Sequence, residues 1–556
     1  MVNVQERTAE QANTGTTMTG GQALVASLRR QGIDTVFALP GVQLDGAFDA
    51  LYDEQAAGNM HVFHPRHEQT AAYMADGYAR VTGRIGTCIV VPGPGLLNAS
   101  AALATAYACN SPVLCVTGQI QSDLIGVGRG QLHEISNQLE MIRSVTKHSA
   151  RAIAPGDIPS LVTEAVSRMW EGRVRPVEIE IPPDTLFATD EISLDPGVGR
   201  PDRPTGDPEL IDRAAALLGN AEYPVIWAGG GVIGADASTE LLHLAEMLQA
   251  PVVMTSNGKG AISSRHYLAQ SGLAAAELLK TADVVLAVGT RFIEAATYPW
   301  GLKEGRTVIQ LDIDDEEIGR NFPVTVGLLA DARAGLAALA ERTAGHNRNR
   351  PSREDELRRL KRATDERLNA ILPQSAFAMA IRRELPNDGI LVGEMTQVAY
   401  WANMGFPVYE PRTYLTPGYQ GTLGWGFPTS LGAKVGAPDK VVVSINGDGG
   451  FGFALNELAT QARHGIASIT IVFNDSAYGN VRRIQSDQFN GRTIASDLLN
   501  PDYRKLADAF GIAGRQAETP DALAVQLREA IRADEPALIE VPVGVMPDPW
   551  KVLNYR

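Results

Sequence analysis

Short apolar runs that end in Gly or Pro recur along the whole chain, and segments of helical length separate them. Runs of this kind are typical of strands in parallel sheets that helices cover on both faces. The pattern therefore predicts an α/β protein with doubly wound parallel sheets. The runs in the first third are TVFALPG (35–41), TCIVVPGPG (87–95), PVLCVTGQ (112–119) and VEIEIPP (177–183). Those in the rest of the chain are PVIWAGGG (224–231), PVVMTSNGKG (251–260), DVVLAVGT (283–290), TVIQLDID (307–314), GILVGEM (389–395), VVVSINGDGG (441–450), SITIVFND (468–475) and ALIEVPVG (537–544).

Two stretches interrupt this rhythm and divide the chain. The segment DEISLDPGVGRPDRPTGDPE (190–209) is rich in Pro, Gly and Asp, so it is predicted to be a linker. Residues 341–372 are charged and low in apolar side chains, which predicts a loop followed by a solvated helix that bridges two domains. A chain of 556 residues also exceeds the roughly 250–300 residues that one core supports. We expect three α/β domains and two tails, at 1–17, 18–190, 205–340, 373–545 and 546–556.

Composition narrows the class of protein. The formal net charge is −15, which argues against nucleic acid or an anionic membrane as a partner. No apolar run reaches the roughly 18 residues of a membrane span, and the polar N-terminus lacks the apolar core of a signal peptide. Cys88, Cys109 and Cys115 lie in apolar stretches that suit buried residues of a reducing compartment. We therefore expect a cytoplasmic protein.

The most informative stretch is INGDGGFGFALNELATQARHGIASITIVFND (445–475). An apolar strand leads to Asp448, a helix follows, and a second apolar strand leads to Asp475. Ligands of open parallel sheets bind at the carboxyl ends of the strands, so the two carboxylates should meet at one edge. Gly449 and Gly450 allow backbone N–H groups to approach an anion there. Two carboxylates beside such a turn suit Mg²⁺ that holds a diphosphate, although GDGG alone also suits an ordinary strand-to-helix turn.

The spacing of these residues resembles the binding motif for thiamine diphosphate, in which GDG precedes a pair of asparagines. Here the pair is Asn474–Asp475, so a carboxylate oxygen replaces an amide oxygen and metal binding should survive. The resemblance implies that Mg²⁺ is bound by the side chains of Asp448 and Asp475 and by the carbonyl oxygen of Ala477.

A second segment, YLTPGYQGTLGWGFPTSLGAKVG (414–436), resembles the part of this family that binds the aminopyrimidine ring of the cofactor. The resemblance implies that the Gly421 carbonyl accepts a hydrogen bond from the 4′-amino group. It also implies that Leu423 supports the V-shaped cofactor. The remaining expected cofactor contacts are Asn98, Thr396, Gly449 and Gly450.

The stretch NMHVFHPRHEQTAAYMADGYARVTGRIGTCIVVPGPGLLNA (59–99) is similar to the pyrimidine-binding domain of acetohydroxyacid synthases and benzoylformate decarboxylase. The similarity runs through RHEQ, ADGYAR and GPGxxN. It implies that Glu68 is the catalytic glutamate, whose carboxyl group bonds to the pyrimidine ring and starts removal of the thiazolium C2 proton.

Three histidines precede this glutamate, at positions 61, 64 and 67. A zinc site is not expected there, because Pro65 would kink any helix that placed the three rings on one face. His67 is expected beside the substrate, whereas His61 and His64 are expected to be surface or packing residues.

The resemblance to the acetohydroxyacid synthase branch extends over residues 20–545. In the middle domain, RTVIQLDIDDEEIGRNFPVTVGLLADA (306–332) is close to the matching stretch of those synthases, and GGGVIG (229–234) fits the dinucleotide fingerprint GxGxxG. The flavin-binding methionine–histidine–glycine segment of the family is not recognisable around QSGLAAAE (270–277). FAD therefore stays open as a second cofactor but is not the expected one.

Several departures from the family bear on the substrate. Ala295, four residues after Arg291, replaces the arginine that holds the acceptor in the branched-chain synthases, and Ile484 replaces their tryptophan. Both changes argue against a biosynthetic acetohydroxyacid synthase. Gln119–Ile120 stands where pyruvate decarboxylases carry adjacent histidines, which disfavours simple decarboxylation to acetaldehyde.

The substrate is expected to be more polar than pyruvate, since His133–Glu134 replaces Phe-Gln of the synthases. The residues expected to line the substrate pocket are Gln43, His67, Gln119, His133, Tyr478 and Asn480.

These resemblances imply an enzyme that uses thiamine diphosphate and Mg²⁺ to break or form a C–C bond next to a carbonyl. Decarboxylation of a 2-oxo acid, with or without carboligation, is the leading interpretation. A lyase or carboligase without decarboxylation, similar to benzaldehyde lyase or 2-hydroxyacyl-CoA lyase, is the alternative, and a non-catalytic binding protein of this fold is a third. Family active sites join the first domain of one subunit to the last domain of another, which implies a homodimer or homotetramer.

Overall fold

The computed structural model describes residues 15–292 and 305–552. The elements of the first domain alternate between strands and helices, and a small antiparallel pair, β1–β8, joins its two ends. They are β1 (Thr16–Thr19), α1 (Gly20–Arg30), β2 (Thr35–Ala38), α2 (Asp45–Ala56), β3 (His61–Phe63), α3 (Glu68–Thr82), β4 (Gly86–Val90), α4 (Pro94–Cys109), β5 (Val113–Gly118), α5 (Gln138–Ile142), β6 (His148–Arg151), α6 (Ile158–Trp170), β7 (Val177–Ile181), α7 (Pro183–Phe187) and β8 (Thr189–Ile192).

The middle domain starts at α8, and a charged helix, α13, leads from it to the last domain. The elements are α8 (Pro208–Asn220), β9 (Val225–Ala228), α9 (Gly230–Gly234), α10 (Ser238–Leu248), β10 (Val252–Met254), β11 (Ala269–Gln270), α11 (Gly272–Thr281), β12 (Val284–Val288), β13 (Thr307–Asp312), β14 (Val326–Leu329), α12 (Ala332–Thr343) and α13 (Glu354–Asn369).

The last domain again alternates strands and helices. Its elements are α14 (Gln374–Glu384), β15 (Ile390–Gly393), α15 (Gln397–Gly405), β16 (Tyr414–Leu415), α16 (Gly426–Gly436), β17 (Val442–Gly447), α17 (Asp448–Phe451), α18 (Leu458–Arg463), β18 (Ile469–Asn474), α19 (Gly479–Gln488), α20 (Tyr503–Ala509), β19 (Ala513–Gln516), α21 (Pro520–Ala533), β20 (Ala537–Pro542) and α22 (Pro549–Val552). In the described part of the chain, no helix is both long and apolar enough to cross a membrane.

Each domain contains a parallel sheet of six strands, which confirms the predicted fold class. The first sheet has the order β3-β2-β4-β5-β7-β6, and the last has the equivalent order β16-β15-β17-β18-β20-β19. The middle sheet differs, with the order β11-β10-β9-β12-β13-β14. The strand order reverses between β2 and β4 in the first domain and between β15 and β17 in the last. Ligands of open α/β sheets bind at such points of reversal.

The inner strands of all three sheets coincide with apolar runs that the sequence predicts as strands. The strands at the sheet edges differ. The edge strands are β3, β6, β11, β14, β16 and β19, and none of them is among the apolar runs given above. Strands β6, β14 and β19 are partly exposed, and β11 and β16 contain only two residues each, so none of them carries the longer buried apolar run of an inner strand.

The first and last domains are joined by helices α3 and α16, whose backbones come into direct contact. A Cβ atom on Gly77 of α3 would stand 2.1 Å from the carbonyl oxygen of Thr429, and one on Gly432 of α16 would stand 1.9 Å from that of Met74. One buried apolar cluster includes Tyr73 and Met74 of α3 together with Phe427 of α16. The two domains therefore share a core, and glycine is required where their helices cross.

Replacing Gly432 by Ala should destabilise the protein, because the new Cβ would overlap the Met74 carbonyl oxygen, which cannot move without separating the helices. Overpacking costs up to about 3 kcal/mol, which outweighs the roughly 1 kcal/mol that Ala gains over Gly in a helix. We expect the midpoint of thermal unfolding to fall by several degrees. Gly272→Ala is the matched control, since a Cβ there meets nothing within 4 Å. Equal midpoints for both variants would contradict the contact.

Candidate active site

Two acidic residues of the last domain meet where strands β17 and β18 end. Asp448 opens α17 and is 3% exposed. One of its carboxylate oxygens accepts hydrogen bonds from the Ala477 backbone N–H (3.2 Å) and from the Asn500 side-chain amide (2.6 Å). Asp475 directly follows β18 and is half-buried, and it lies close enough to Asp448 for the two carboxylates to interact electrostatically. The fold therefore brings together Asp448, Asp475 and Ala477, which the sequence predicts as metal ligands.

Asn500 was missed by the sequence analysis, yet it ties these two strand ends together. Its amide nitrogen donates to Asp448 (2.6 Å) and also to the side-chain oxygen of Asn474 (2.9 Å). The amide nitrogen of Asn474 in turn donates to Glu540 (2.8 Å). Asn500 lies in the loop before α20, far along the chain from Asp448 and outside any motif, so no local pattern could have marked it.

The electrostatics of this cluster suit a bound cation. Burial, and then the neighbouring Asp448 carboxylate, raise the pKa of Asp475 to about 6. Burial also raises the pKa of Asp448. Two carboxylates that disfavour each other's ionisation are stabilised when a positive ion lies between them, and a donor set made of oxygen atoms fits Mg²⁺.

The metal set itself is small. Within residues 15–292 and 305–552, no group of three or more His, Cys, Asp or Glu side chains is arranged to hold a metal ion. The predicted set has only two carboxylates and one backbone carbonyl. This number agrees with the preference of Mg²⁺ for one or two carboxylates supplemented by phosphate oxygens and water.

The glycines after Asp448 have a packing reason that the sequence did not reveal. A Cβ on Gly449 would stand 2.7 Å from the ring of Tyr478, and one on Gly450 would stand 2.3 Å from a carboxylate oxygen of Glu394. Neither glycine has a positive φ. Close packing against Tyr478 and Glu394 therefore excludes a side chain at both positions, whether or not an anion also approaches their N–H groups.

The segment that resembles an aminopyrimidine site lies on the neighbouring strand ends. Gly421 has a φ of +57°, in the left-handed region that favours glycine, and Leu423 is half-buried. Thr396 lies at the start of α15, and a Cβ on Gly447 would come 3.8 Å from the Thr396 side chain. A Cβ on Gly421 would in turn come 3.3 Å from the side chain of Met395. The predicted contacts of the last domain thus gather at one point of strand reversal, between β15 and β17.

Glu68 is the first residue of α3 and is half-buried. One of its carboxylate oxygens accepts a hydrogen bond from the amide of Asn98 on α4 (3.0 Å). Gly95, in the first turn of α4, faces the other oxygen, since a Cβ there would lie 3.5 Å away. The fold therefore pairs Glu68 with Asn98, the two first-domain residues that the sequence predicts beside the cofactor.

The three histidines before Glu68 have separate environments. His67 precedes α3, and its ring nitrogen accepts the backbone N–H of Gln69 (3.1 Å), so it caps the helix that begins with Glu68. His61 is exposed on β3. His64 contacts the last domain, where its backbone N–H donates to the ring of His464 (3.2 Å) and the two rings lie 4.8 Å apart.

The substrate residues predicted in the first domain lie in loops at the carboxyl ends of its strands. Gln43 is buried, and its amide nitrogen donates to the Leu132 carbonyl (3.1 Å) while its amide oxygen has no partner. The ring nitrogen Nδ1 of His133 is also buried without a partner. Gln119 differs, because its amide nitrogen donates to the buried Glu180 and its oxygen accepts the N–H of Ile120.

The remaining predicted pocket residues lie in the last domain beside Asp475. The ring of Tyr478 packs against Gly449, and the Asn480 side-chain oxygen accepts a hydrogen bond from Arg483 (2.7 Å). Ile484 follows on the same helix, α19. Ala295 lies outside the described residues.

The GGGVIG segment follows β9, and its glycines pack against the loop after β12. The backbone N–H of Gly229 donates to the Val288 carbonyl (2.9 Å), and that of Gly231 donates to the Gly289 carbonyl (3.0 Å). A Cβ on Gly229 would overlap the Gly289 carbonyl oxygen at 2.2 Å. These glycines allow the ends of β9 and β12 to pack closely. The N–H groups of Gly229 and Gly231 both donate to carbonyls within the protein.

Three family profiles match the chain in the order of its domains. All three describe a thiamine pyrophosphate enzyme. The N-terminal TPP binding domain matches residues 18–141, the central domain matches residues 211–339, and the C-terminal TPP binding domain matches residues 394–541. A probable 2-ketoarginine decarboxylase from Pseudomonas aeruginosa is 36% identical over 537 residues, which cover 94% of each chain. A probable acetolactate synthase large subunit from Methanocaldococcus jannaschii is 34% identical over 551 residues, covering 95% of this chain and 92% of its own. The acetolactate synthase large subunit of Corynebacterium glutamicum is 34% identical, covering 97% and 88%.

Asn500→Ala should weaken Mg²⁺ binding about 10- to 100-fold, because residues that orient metal ligands contribute to metal affinity on this scale. The substitution removes the amide that holds Asp448 and Asn474 together. Titration of the cofactor complex with Mg²⁺ measures the change. Asn220→Ala is the control, since this asparagine is exposed and its side chain donates to the Ala216 carbonyl within α8. Unchanged Mg²⁺ affinity in Asn500→Ala would remove this residue from the site.

Proposed function

The chain belongs to the thiamine-diphosphate-dependent enzymes, and we propose that it uses this cofactor with Mg²⁺ to break or form a C–C bond next to a carbonyl. The favoured reaction is decarboxylation of a 2-oxo acid, with or without ligation of the product to an aldehyde or ketone. One relative is named for the decarboxylation of a 2-keto acid, and others are named acetolactate synthase.

In this proposal the last domain holds the cofactor. Asp448, Asp475 and the Ala477 carbonyl would hold Mg²⁺ beside the diphosphate, while Gly421 and Leu423 would hold the aminopyrimidine ring. Bound thiamine diphosphate supplies an electron sink for the negative charge left when a bond next to a carbonyl breaks. The oxygen donors and the raised pKa values of both aspartates support this assignment.

The observation that carries the proposal is the position of the Glu68 carboxyl group. It lies at the start of α3, half-buried, with Asn98 as its side-chain partner. The Asn98 amide binds Oε2, so Oε1 would be the oxygen available to a ring nitrogen of the cofactor. From there Glu68 holds a proton at the pyrimidine edge, which is the role of a general acid–base residue.

We assign the active site to the interface between two copies of the chain. Thr105 of α4 lies 2.8 Å from Thr422 in the aminopyrimidine segment, whereas Asn98, which binds Glu68, lies about two helical turns away, or roughly 10 Å. Because Glu68 is bound to Asn98, it lies about two turns of α4 away from the point where α4 contacts the aminopyrimidine segment of the same chain. The exposed apolar side chains of Leu97, Tyr419 and Phe453 lie close by and suit a covering subunit. A homodimer or homotetramer satisfies this arrangement, and a cytoplasmic location remains a prediction.

The pocket favours a substrate with a hydrogen-bond donor in addition to its carboxylate. The Gln43 amide oxygen is buried without a partner, and a substrate donor would satisfy it. His133 offers a second unpaired polar atom in the same loop region. We do not assign FAD, because Gly229 and Gly231 of the middle domain use their N–H groups within the protein.

A panel of 2-oxo acids and 2-hydroxy ketones tests the proposed reaction on the holoenzyme. We expect carbon dioxide release from at least one 2-oxo acid, and faster release from acids with a polar side chain than from pyruvate. Product analysis by mass spectrometry then shows whether carboligation follows. Turnover of 2-hydroxy ketones without carbon dioxide release would replace decarboxylation by the lyase alternative. No turnover of any compound would contradict the proposal.

Glu68→Gln should lower turnover about 10²- to 10⁴-fold, the usual contribution of a general acid–base group. The cofactor should still bind, because its diphosphate and Mg²⁺ are held by the last domain. Turnover and cofactor affinity are measured separately, with Glu209→Gln as the control, since Glu209 is exposed in the first turn of α8. Turnover within a few-fold of wild type would disprove the role of Glu68.

A further inference from the structure

We propose that Glu394 is a positioning residue that locks the diphosphate turn to the aminopyrimidine segment, so that both halves of the cofactor site keep one relative position. The diphosphate turn is defined as residues 447–450, and the aminopyrimidine segment as residues 421–426. The inference rests on the proposed function, since it concerns the affinity of the same site for thiamine diphosphate and Mg²⁺.

Glu394 lies where the topology of the last domain places ligands. It directly follows β15, and its backbone N–H donates to the Ile445 carbonyl of β17 (3.0 Å). The strand order reverses between β15 and β17. Glu394 is 2% exposed, and a glutamate is almost never buried to this degree without a specific partner.

The carboxyl group of Glu394 makes its hydrogen bond to the aminopyrimidine segment. Oε1 accepts the backbone N–H of Gly424 at 2.5 Å, and the backbone of Trp425 also donates to the carboxyl group. These two residues directly follow Leu423 in the aminopyrimidine segment. Glu394 thereby fixes the point at which this segment turns into helix α16.

The same carboxyl group fills the space beside the diphosphate turn. A Cβ on Gly450 would stand 2.3 Å from Oε1 and 2.9 Å from Oε2 of Glu394. A Cβ on Gly426 would stand 2.8 Å from the Glu394 Cβ. The carboxyl group is enclosed by glycine backbone from both segments, so neither segment can shift without displacing it.

One further pair of atoms supports this role. Oε2 of Glu394 and the side-chain oxygen of Asn446 are both buried without a partner. Both lie near the position that a Cβ on Gly426 would take, Oε2 of Glu394 at 3.3 Å and the Asn446 oxygen at 2.5 Å. Two oxygens can satisfy each other only if a proton lies between them. A neutral Glu394 carboxyl would donate from Oε2 toward Asn446, the residue before the diphosphate turn.

The surroundings of Glu394 favour this neutral form. Burial raises the pKa of Glu394 to about 8. The titratable groups that face it are the phenols of Tyr73 on α3 and Tyr400 on α15, whose pKa values are themselves raised by burial. Neither phenol supplies the positive charge that would stabilise a carboxylate.

The test compares Glu394→Gln with Glu394→Ala by isothermal titration of the full-length protein with thiamine diphosphate in excess Mg²⁺. Glutamine keeps the shape of the neutral acid, so we expect cofactor affinity within about threefold of wild type. Alanine leaves both segments without their link, and we expect a loss of about 10- to 100-fold, the scale seen for residues that orient a binding group. Circular dichroism confirms that each variant is folded.

A pH series gives a readout that a merely structural role would not change. In wild type, affinity should fall as the pH rises through about 8, because ionised Glu394 loses its donor. Glu394→Gln cannot ionise, so its affinity should stay level from pH 7 to 9. An equal alkaline decline in wild type and Glu394→Gln would overturn the inference, and so would unchanged affinity in Glu394→Ala. If wild type did not bind thiamine diphosphate at all, the proposed function would be wrong as well. Failure of the proposed function is therefore distinguishable from failure of the role of Glu394 alone.

Discussion

The direct backbone contact between α3 and α16 is the constraint on which the rest of the site depends. Gly77 and Gly432 remove the side chains that would hold these helices apart, so the first and last domains share one core. Each helix also begins at a segment of the candidate site. Glu68 opens α3, and the aminopyrimidine segment leads directly into α16. A change in the distance between the two helices would therefore displace the candidate site residues at both positions.

Buried acidic groups give the last domain its electrostatic character. Asp448, Asp475 and Glu394 lie at the ends of three neighbouring parallel strands, and burial raises the pKa of each. Amide donors orient Asp448, and Asp475 lies beside it, so the two aspartates are suited to a cation. Glu394 is enclosed by glycine backbone and is suited to remain neutral. One sheet edge therefore contains carboxyl groups that are suited to different roles, and the immediate neighbours of each group account for the difference.

The sequence predicted the inner strands of each sheet far better than the edges. An inner strand of a doubly wound sheet is covered on both faces, so a run such as VVVSING must be apolar throughout, and the pattern is visible without the structure. Edge strands such as β6 and β19 are partly exposed, and β11 and β16 contain only two residues. Their pairing is decided by the neighbouring strand rather than by their own composition, which explains why they were missed.

The sequence by itself determined the family, the fold class and the residues that lie in continuous motifs, among them Glu68, Asp448 and Asp475. Each of these is recognisable because its motif is a short run that carries its own signal. Only the tertiary structure identified Asn500 as the link between two strand ends and Glu394 as the carboxyl group between two glycine-rich segments. It also supplied the packing reason for Gly449 and Gly450. The physical reason is that parallel strands bring together loops that are distant in sequence, so the partners of a buried polar group are set by the alignment of strands and not by its neighbours along the chain.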